Sequence, residues 1–448
     1  MRCINLWTSV VQLRFRTMGL TGTAALLLAI LPVTGQPVAS TQPTGWQPNP
    51  AVLTALESKN TKWVYREAEV PAYTLPEALV CADGTKVTTR QQWEQKRRPE
   101  TLELFEKYEF GRSPKAPADV RFEVLETKAD ALEGAATLKR VSITSIDAGK
   151  SFAFSAAVLI PNKRPTSGRA PALLLINHRN ERSGDPTRQS RVEFWPAEEI
   201  IARGYAAAIF QAEAVDPDNG SAGARAKGVR AVFAGPGNPE QDAWATLAAW
   251  AWGASRVMDY LQTDTQIDAT RVGVVGHSRG GKAALWAGAT DQRFALVMSN
   301  SSGRGGASLT RRKLGESLRI INERFPYWFN ANYKKYIDRE NELPFDQHQL
   351  LALIAPRALY VASSDADMWA DQRGEFLSLV QAGPVYGLYG AKTFAADAMP
   401  ELETPLTNGS VGYHIRRGEH DLKLYDWQRV MDFADKIWTK PKADPGKP

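Results

Sequence analysis

From about residue 170 the chain repeats one pattern: a short, continuously apolar run that ends in polar residues, then a helical stretch. The runs are "APALLLINH", "GYAAAIFQ", "RVGVVGHS", "FALVMSN" and "RALYVASS". A strand that is apolar at every position has to be covered on both faces. Helical segments such as "DAWATLAAWAWGASRVMDYLQ" separate the runs and supply the cover. The expected fold class is therefore α/β, a three-layer sandwich with a mostly parallel central sheet and helices on both faces. In open sheets of this kind ligands bind at the carboxyl ends of the strands. The residues that follow each apolar run are thus the first place to look for chemistry.

The segment upstream follows a different rule. Residues 120–162 alternate apolar and polar and are rich in β-branched residues: "VRFEVLETK", "LKRVSITSI" and "SFAFSAAVLIP" read as successive antiparallel strands. Before them, "RRPETLELFEKYEFG" (Arg97–Gly111) places Leu102, Leu104, Phe105 and Tyr108 at helical spacing. No internal repeat is visible. Residues 51–448 are expected to form one domain, the parallel sheet preceded by a helical and strand extension. Two long polar stretches with Gly, Pro and Asp, 179–196 and 213–240, interrupt it. Loops of that length in a compact domain are usually functional.

The first 36 residues differ from the rest. Arg2, Arg14 and Arg16 precede an apolar stretch from Gly19 to Gly35, and no acidic residue occurs before Glu57. That is the pattern of a secretory signal peptide, with cleavage expected between Gly35 and Ser40. The run is short for a membrane span and Pro32 interrupts it. Residues 37–50, "PVASTQPTGWQPNP", read as a linker. A soluble, exported protein of a bacterial periplasm or exterior is expected, with no membrane contact after signal removal, and as a monomer. Cys3 lies in the signal, so Cys81 alone remains and no internal disulfide can form. The net charge of +6 is mild for 448 residues, and no basic block with interleaved aromatics points to nucleic acid.

The most informative run is "VVGHSRGGKAALWAGA", Val274–Ala289. A G-x-S-x-G pentapeptide arises by chance in roughly one chain in ten of this length. Its setting is more specific: a buried strand before Ser278 and a helix after it, the nucleophile elbow of an α/β-hydrolase fold. The helix start behind Ser278 brings N–H dipoles to where an oxyanion would form.

A serine hydroxyl needs a base. In this fold the order is Ser, acid, His, which leaves His348, His414 and His420. His420, in the polar "RRGEHDLKLYDW" before the last helix, is the expected base. His414 and His348 are expected to pack, His277 to point away from the reaction, and His178 to line the cleft at most. The acid belongs after a late strand, where "APRALYVASSDADMWAD" offers Asp365, Asp367 and Asp371; spacing does not choose among them.

Several stretches together resemble one family, the glucuronoyl esterases of carbohydrate esterase family 15, in their bacterial branch. They are "GHSRGGKAALWAGA", "SNSSGRGG", "ERFPYWFNANYKKY", "LPFDQHQLLALIAPRALYVASSDADMWAD", "GYHIRRGEHDLKLYDW" and, upstream, "ALVCADGTKVTTRQQWEQKRRPE". The resemblance covers essentially the whole chain after the signal. It implies that Ser278 is the nucleophile, His420 the base and Arg279 a stabiliser of the oxyanion. It further implies that Lys282, Glu316 and Trp369 bind the sugar, and that Asp367 is an acid found in bacterial members. Fungal members carry a catalytic glutamate in a "QESG"-like stretch; here the stretch is "NSSG", with Ser301 in the glutamate's place. The acid is therefore expected from the later loop, with Asp367 first and Asp365 second. Glu323 is a weaker sugar-contact candidate, as readily a solvated helix face.

The activity implied is hydrolysis of 4-O-methyl-glucuronoyl esters that join glucuronoxylan to lignin alcohols, needing no metal or organic cofactor. Two other readings are another carbohydrate carboxylesterase, such as an acetyl-xylan esterase, and a non-catalytic carbohydrate-binding protein.

Overall fold

The computed structural model describes residues 45–59, 63–164, 168–394 and 399–438, which fall within one compact unit. The signal-like residues 1–36 and the first part of the linker stretch lie outside the described residues. The end of that stretch is packed against the domain: Gly45 bridges Met399, and Trp46 is buried in the main core.

Among the described residues ten strands form a single sheet. β1 (Asp119–Ala131), β2 (Ala136–Asp147) and β3 (Lys150–Pro161) are an antiparallel meander. β3 joins antiparallel to β5 (Ala206–Gln211), and the sheet continues in parallel through β4 (Ala170–Asn177), β6 (Ile267–His277), β7 (Leu296–Asn300), β8 (Ala358–Ser364) and β10 (Val411–Arg416). The short β9 (Leu406–Asn408) closes the far edge antiparallel to β10. The order across the sheet is β1-β2-β3-β5-β4-β6-β7-β8-β10-β9.

The continuous apolar runs divide their side chains by parity. On β4, Ala172, Leu174 and Ile176 face one core while Leu173 and Leu175 face the other. On β8, Leu359 and Val361 face the first and Ala358, Tyr360 and Ala362 the second. The first core is closed by the helices Thr246–Thr263, Arg279–Thr290 and Gln372–Gly387, the second by Ala197–Ala202 and Leu424–Trp438. This is why those runs lack alternation: both faces are interior. β1 differs, with Val124 and Leu125 about half exposed at the open edge. Among the described residues no helix is long and apolar enough to cross a membrane.

Candidate active site

The parallel strands deliver their last residues to one end of the sheet. β6 ends at His277, which pairs with Asn300 at the end of β7. Ser278 is therefore the first residue past the sheet, and the helix Arg279–Thr290 starts immediately behind it. The turn is held by the Ser278 N–H donating to Asn300 O at 2.8 Å and by Gly281 and Lys282 N–H donating back to Ser278 O at 2.9 and 3.1 Å. Ser278 has φ 54° and ψ −126°, a conformation that costs a non-glycine residue about 1–3 kcal/mol. Close packing sustains it. A Cβ on Gly276 would lie 2.0 Å from Gly280 O, so strand and helix can cross here only without a side chain. The first N–H groups of a helix have no intrahelical acceptor, and here they gather beside the serine.

The loops after β8 and β10 bring Asp367 and His420 together. His420 Nδ1 and Asp367 Oδ2 lie 2.6 Å apart, with Asp367 buried and His420 partly exposed. The other two aspartates have different partners. Asp365 Oδ1 accepts from Gly418 N–H at 2.7 Å and so stitches the two loops to each other. Asp371 caps the Gln372–Gly387 helix and pairs with Arg312 at 3.1 Å. Ser301 is buried at the end of β7, its Oγ 3.4 Å from Ser364 Oγ.

Of the remaining histidines, His348 and His414 pack as expected, whereas His277, expected to point away from the reaction, faces His420 instead. His348 is buried against Pro76 O at 2.9 Å, and His414 is buried between Tyr360 Oη and Asp426. His277 is buried but belongs to the site: its ring lies 4.5 Å from that of His420 and 5.8 Å from that of His178. Asn300 Oδ1 at 2.6 Å accepts from its Nδ1. Burial pushes the pKa values of both His277 and His178 well below the usual imidazole value, so both are neutral beside His420 at neutral pH.

Arg279 and Lys282 rise along the helix on the site's side. Arg279 Nη1 donates to Asp218, and its guanidinium lies over the rings of Trp328 (4.6 Å) and Phe325 (5.0 Å). Lys282 is buried; its Nζ donates to Ser302 O at 2.6 Å and stands 3.9 Å from Glu316 Oε2. Burial lowers the Lys282 pKa and raises that of Glu316, and each counteracts the other's shift through its charge. Trp369 is half-buried, with its carbonyl accepting from Glu316 N–H at 3.1 Å and its ring edge-on to Trp63 at 4.4 Å. Glu323 lies apart on an exposed helix face, paired with Arg319.

Sequence reasoning did not single out Asp218, Trp328, Phe325 or Asn300. Asp218 sits in the long 213–240 loop, and Phe325 and Trp328 in "ERFPYWFNANYKKY", whose aromatic density is the available signal. The 179–196 loop also reaches the site: Arg179 pairs with Asp421 beside His420 at 2.7 Å, and Phe194 packs edge-on against His178 and His277.

A strained serine at a strand-to-helix turn, at the same end of the sheet as a histidine–carboxylate pair and close along its helix to a buried cation–carboxylate pair, suits attack on an ester that carries hydroxyl groups. Comparison with known proteins agrees. A family model described as "Glucuronyl esterase, fungi" matches residues 143–390. "Carbohydrate esterase MZ0003", from an unknown prokaryotic organism, is 39% identical over 426 residues, 88% of this chain and 96% of that protein. A 4-O-methyl-glucuronoyl methylesterase of Schizophyllum commune is 30% identical, over 70% of this chain and 74% of that one. The solved structure of a glucuronoyl esterase from Solibacter usitatus superposes with a TM-score of 0.77 at 42% identity, covering 83% of this chain and all of that one. A promiscuous CE15 esterase from the marine bacterial metagenome gives 0.75 at 39% identity, covering 83% of this chain and 99% of that one. By fold and sequence alike, the chain belongs to the glucuronoyl esterases of carbohydrate esterase family 15.

Proposed function

We propose that this carboxylic ester hydrolase cleaves 4-O-methyl-glucuronoyl esters linking glucuronoxylan to lignin alcohols, through Ser278, His420 and Asp367. Ser278 Oγ attacks the carbonyl at C6 of the uronate. His420 takes the hydroxyl proton and gives it to the departing alcohol, while Asp367 accepts from Nδ1–H and offsets the imidazolium charge. The oxyanion meets the helix N–H groups and the Arg279 guanidinium. Water then releases the acid by the same steps in reverse order. Lys282 and Glu316 bond the sugar hydroxyls, and Trp369 gives the ring an apolar face.

The observation that carries this reading is the 2.6 Å His420–Asp367 pair at the same end of the sheet as Ser278. Residues 1–36 are read as the export signal, and the mature enzyme as an extracytoplasmic monomer. The test is Ser278→Ala assayed on benzyl glucuronate: turnover should vanish while glucuronic acid still binds. Turnover retained in that variant overturns the assignment.

A broader ester range is the second reading. It is favoured by the marine metagenome structure, at 39% identity and described as promiscuous. Rates on benzyl glucuronate and on acetylated xylan separate the two; a faster acetate reaction would favour the second.

A further inference from the structure

Arg279 would be a poor oxyanion donor if its long side chain moved freely, because electrostatic catalysis depends on donors fixed before the reaction. The structure contains a device that fixes it. Asp218 is 6% exposed at its side chain, and both carboxylate oxygens are engaged: Oδ2 by Arg279 Nη1 and Oδ1 by Trp328 Nε1 at 2.7 Å. The Asp218 carbonyl accepts from Tyr327 Oη at 2.9 Å, so the aspartate is itself immobilised. Below the guanidinium, Phe325 and Trp328 are stacked at 3.7 Å with planes 1° apart, forming a flat support. All of these contacts take the far end and one face of the guanidinium. Arg279 Nε, the nitrogen nearer the helix, is buried and makes no hydrogen bond. A buried N–H without a partner is costly unless an acceptor arrives.

We propose that Asp218 is a positioning residue of the reaction, which clamps the Nη1 end of Arg279 so that its guanidinium is held fixed beside the forming oxyanion. The inference rests on the esterase reading of the site, though not on the identity of the sugar. It gives the long 213–240 loop a definite role, since that loop carries the clamp across to the helix that Ser278 opens. Asp218 touches no reacting atom, so its effect passes entirely through Arg279.

A double-mutant cycle tests this. Wild type, Asp218→Asn, Arg279→Ala and the double variant are assayed on p-nitrophenyl acetate and on benzyl glucuronate. Asp218→Asn keeps size and an acceptor for Trp328 but removes the charge. It should lower kcat about 10- to 100-fold with KM within about twofold. In the Arg279→Ala background the same substitution should change kcat by less than about twofold. An equal loss in both backgrounds, or no loss in either, overturns the clamp. If Asp218→Asn does not fold, Trp328→Phe takes its place in the cycle. It removes the Nε1 donor but keeps an aromatic plate, and it is read on the acetate because Trp328 also lies 5.5 Å from Lys282 Nζ. A wild type that cleaves the acetate but not the glucuronate defeats the glucuronoyl reading, and the acetate cycle still decides the clamp. Cleavage of neither ester overturns both.

Discussion

The proposed nucleophile and its proposed acid–base partners are held in place by different means. Ser278 is set by the main chain: a strand end, a positive φ, and two segments that cross where only glycine fits. His420 and Asp367 come from two loops, 53 residues apart in sequence, and are set by bonds between them. Asp365 and Ala366 tie to Gly418, and Arg416 reaches Asp426, Arg417 O and Glu419 O to hold the turn before His420. A backbone device tolerates little change in its glycines and depends little on charge. A stitched pair of loops tolerates small changes in its packing and depends strongly on one carboxylate.

That contrast predicts how each half fails. Asp367→Asn should lower kcat by a factor on the order of 10³ to 10⁴, because the amide cannot offset the imidazolium charge, with the melting temperature nearly unchanged. Comparable activity in this variant, with the loss appearing instead in Asp365→Asn, would move the acid to Asp365. Gly276→Ala should act on the other half in the opposite manner. The added Cβ would have to displace the Gly280 carbonyl, costing about 2 kcal/mol or more of stability measured by denaturant unfolding. A stable Gly276→Ala enzyme would mean the elbow relaxes more easily than its packing indicates. Asp365→Asn should be mild, less than about tenfold in kcat. It weakens one stitch at Gly418 N–H and leaves the backbone bonds Asp365 N–H to Arg416 O and Ala366 N–H to Gly418 O intact.

The same contrast explains what could be read from the chain. The elbow is local: strand, Gly276, Ser278, Gly280 and helix are contiguous, so the sequence displays the whole device. The continuous apolar runs revealed the parallel sheet for an equally local reason, and His420 was picked from the three histidines that chain order leaves by its polar loop before the last helix. The choice among Asp365, Asp367 and Asp371 was not local. All three lie within seven residues, and what separates them is the partner each finds: Gly418 N–H, His420 or Arg312. Asp218 was invisible for the same reason, since its meaning depends on Arg279, 61 residues away. The resemblance to a family ranked the aspartates, but it said nothing about what holds Arg279.

The smallest expected effect concerns the place where the two halves meet. Glu375 is fully buried on the Gln372–Gly387 helix, accepting from Gly303 N–H at 2.9 Å and from Ser363 Oγ at 2.6 Å. Its first partner follows Ser302, whose carbonyl holds Lys282 on the Ser278 side; its second is the penultimate residue of β8, just before the Asp367 loop. Burial first, with the negative charge of Asp367 adding to it, raises its pKa to about 8 against the hydrogen bonds that favour the anion. An unfolded glutamate titrates near 4.5. Between those values the folded protein holds a proton that the unfolded chain has released, so this group makes stability fall as pH rises through that window. Glu375→Gln keeps the shape and has no proton to lose. Its melting temperature should gain on wild type by about 2 °C or more between pH ~5 and pH ~8. Parallel curves for the two proteins would show that Glu375 is already ionised, with its charge carried by Gly303 and Ser363. The link between the halves would then be a fixed anion, and Lys282 would have a second buried counter-charge besides Glu316.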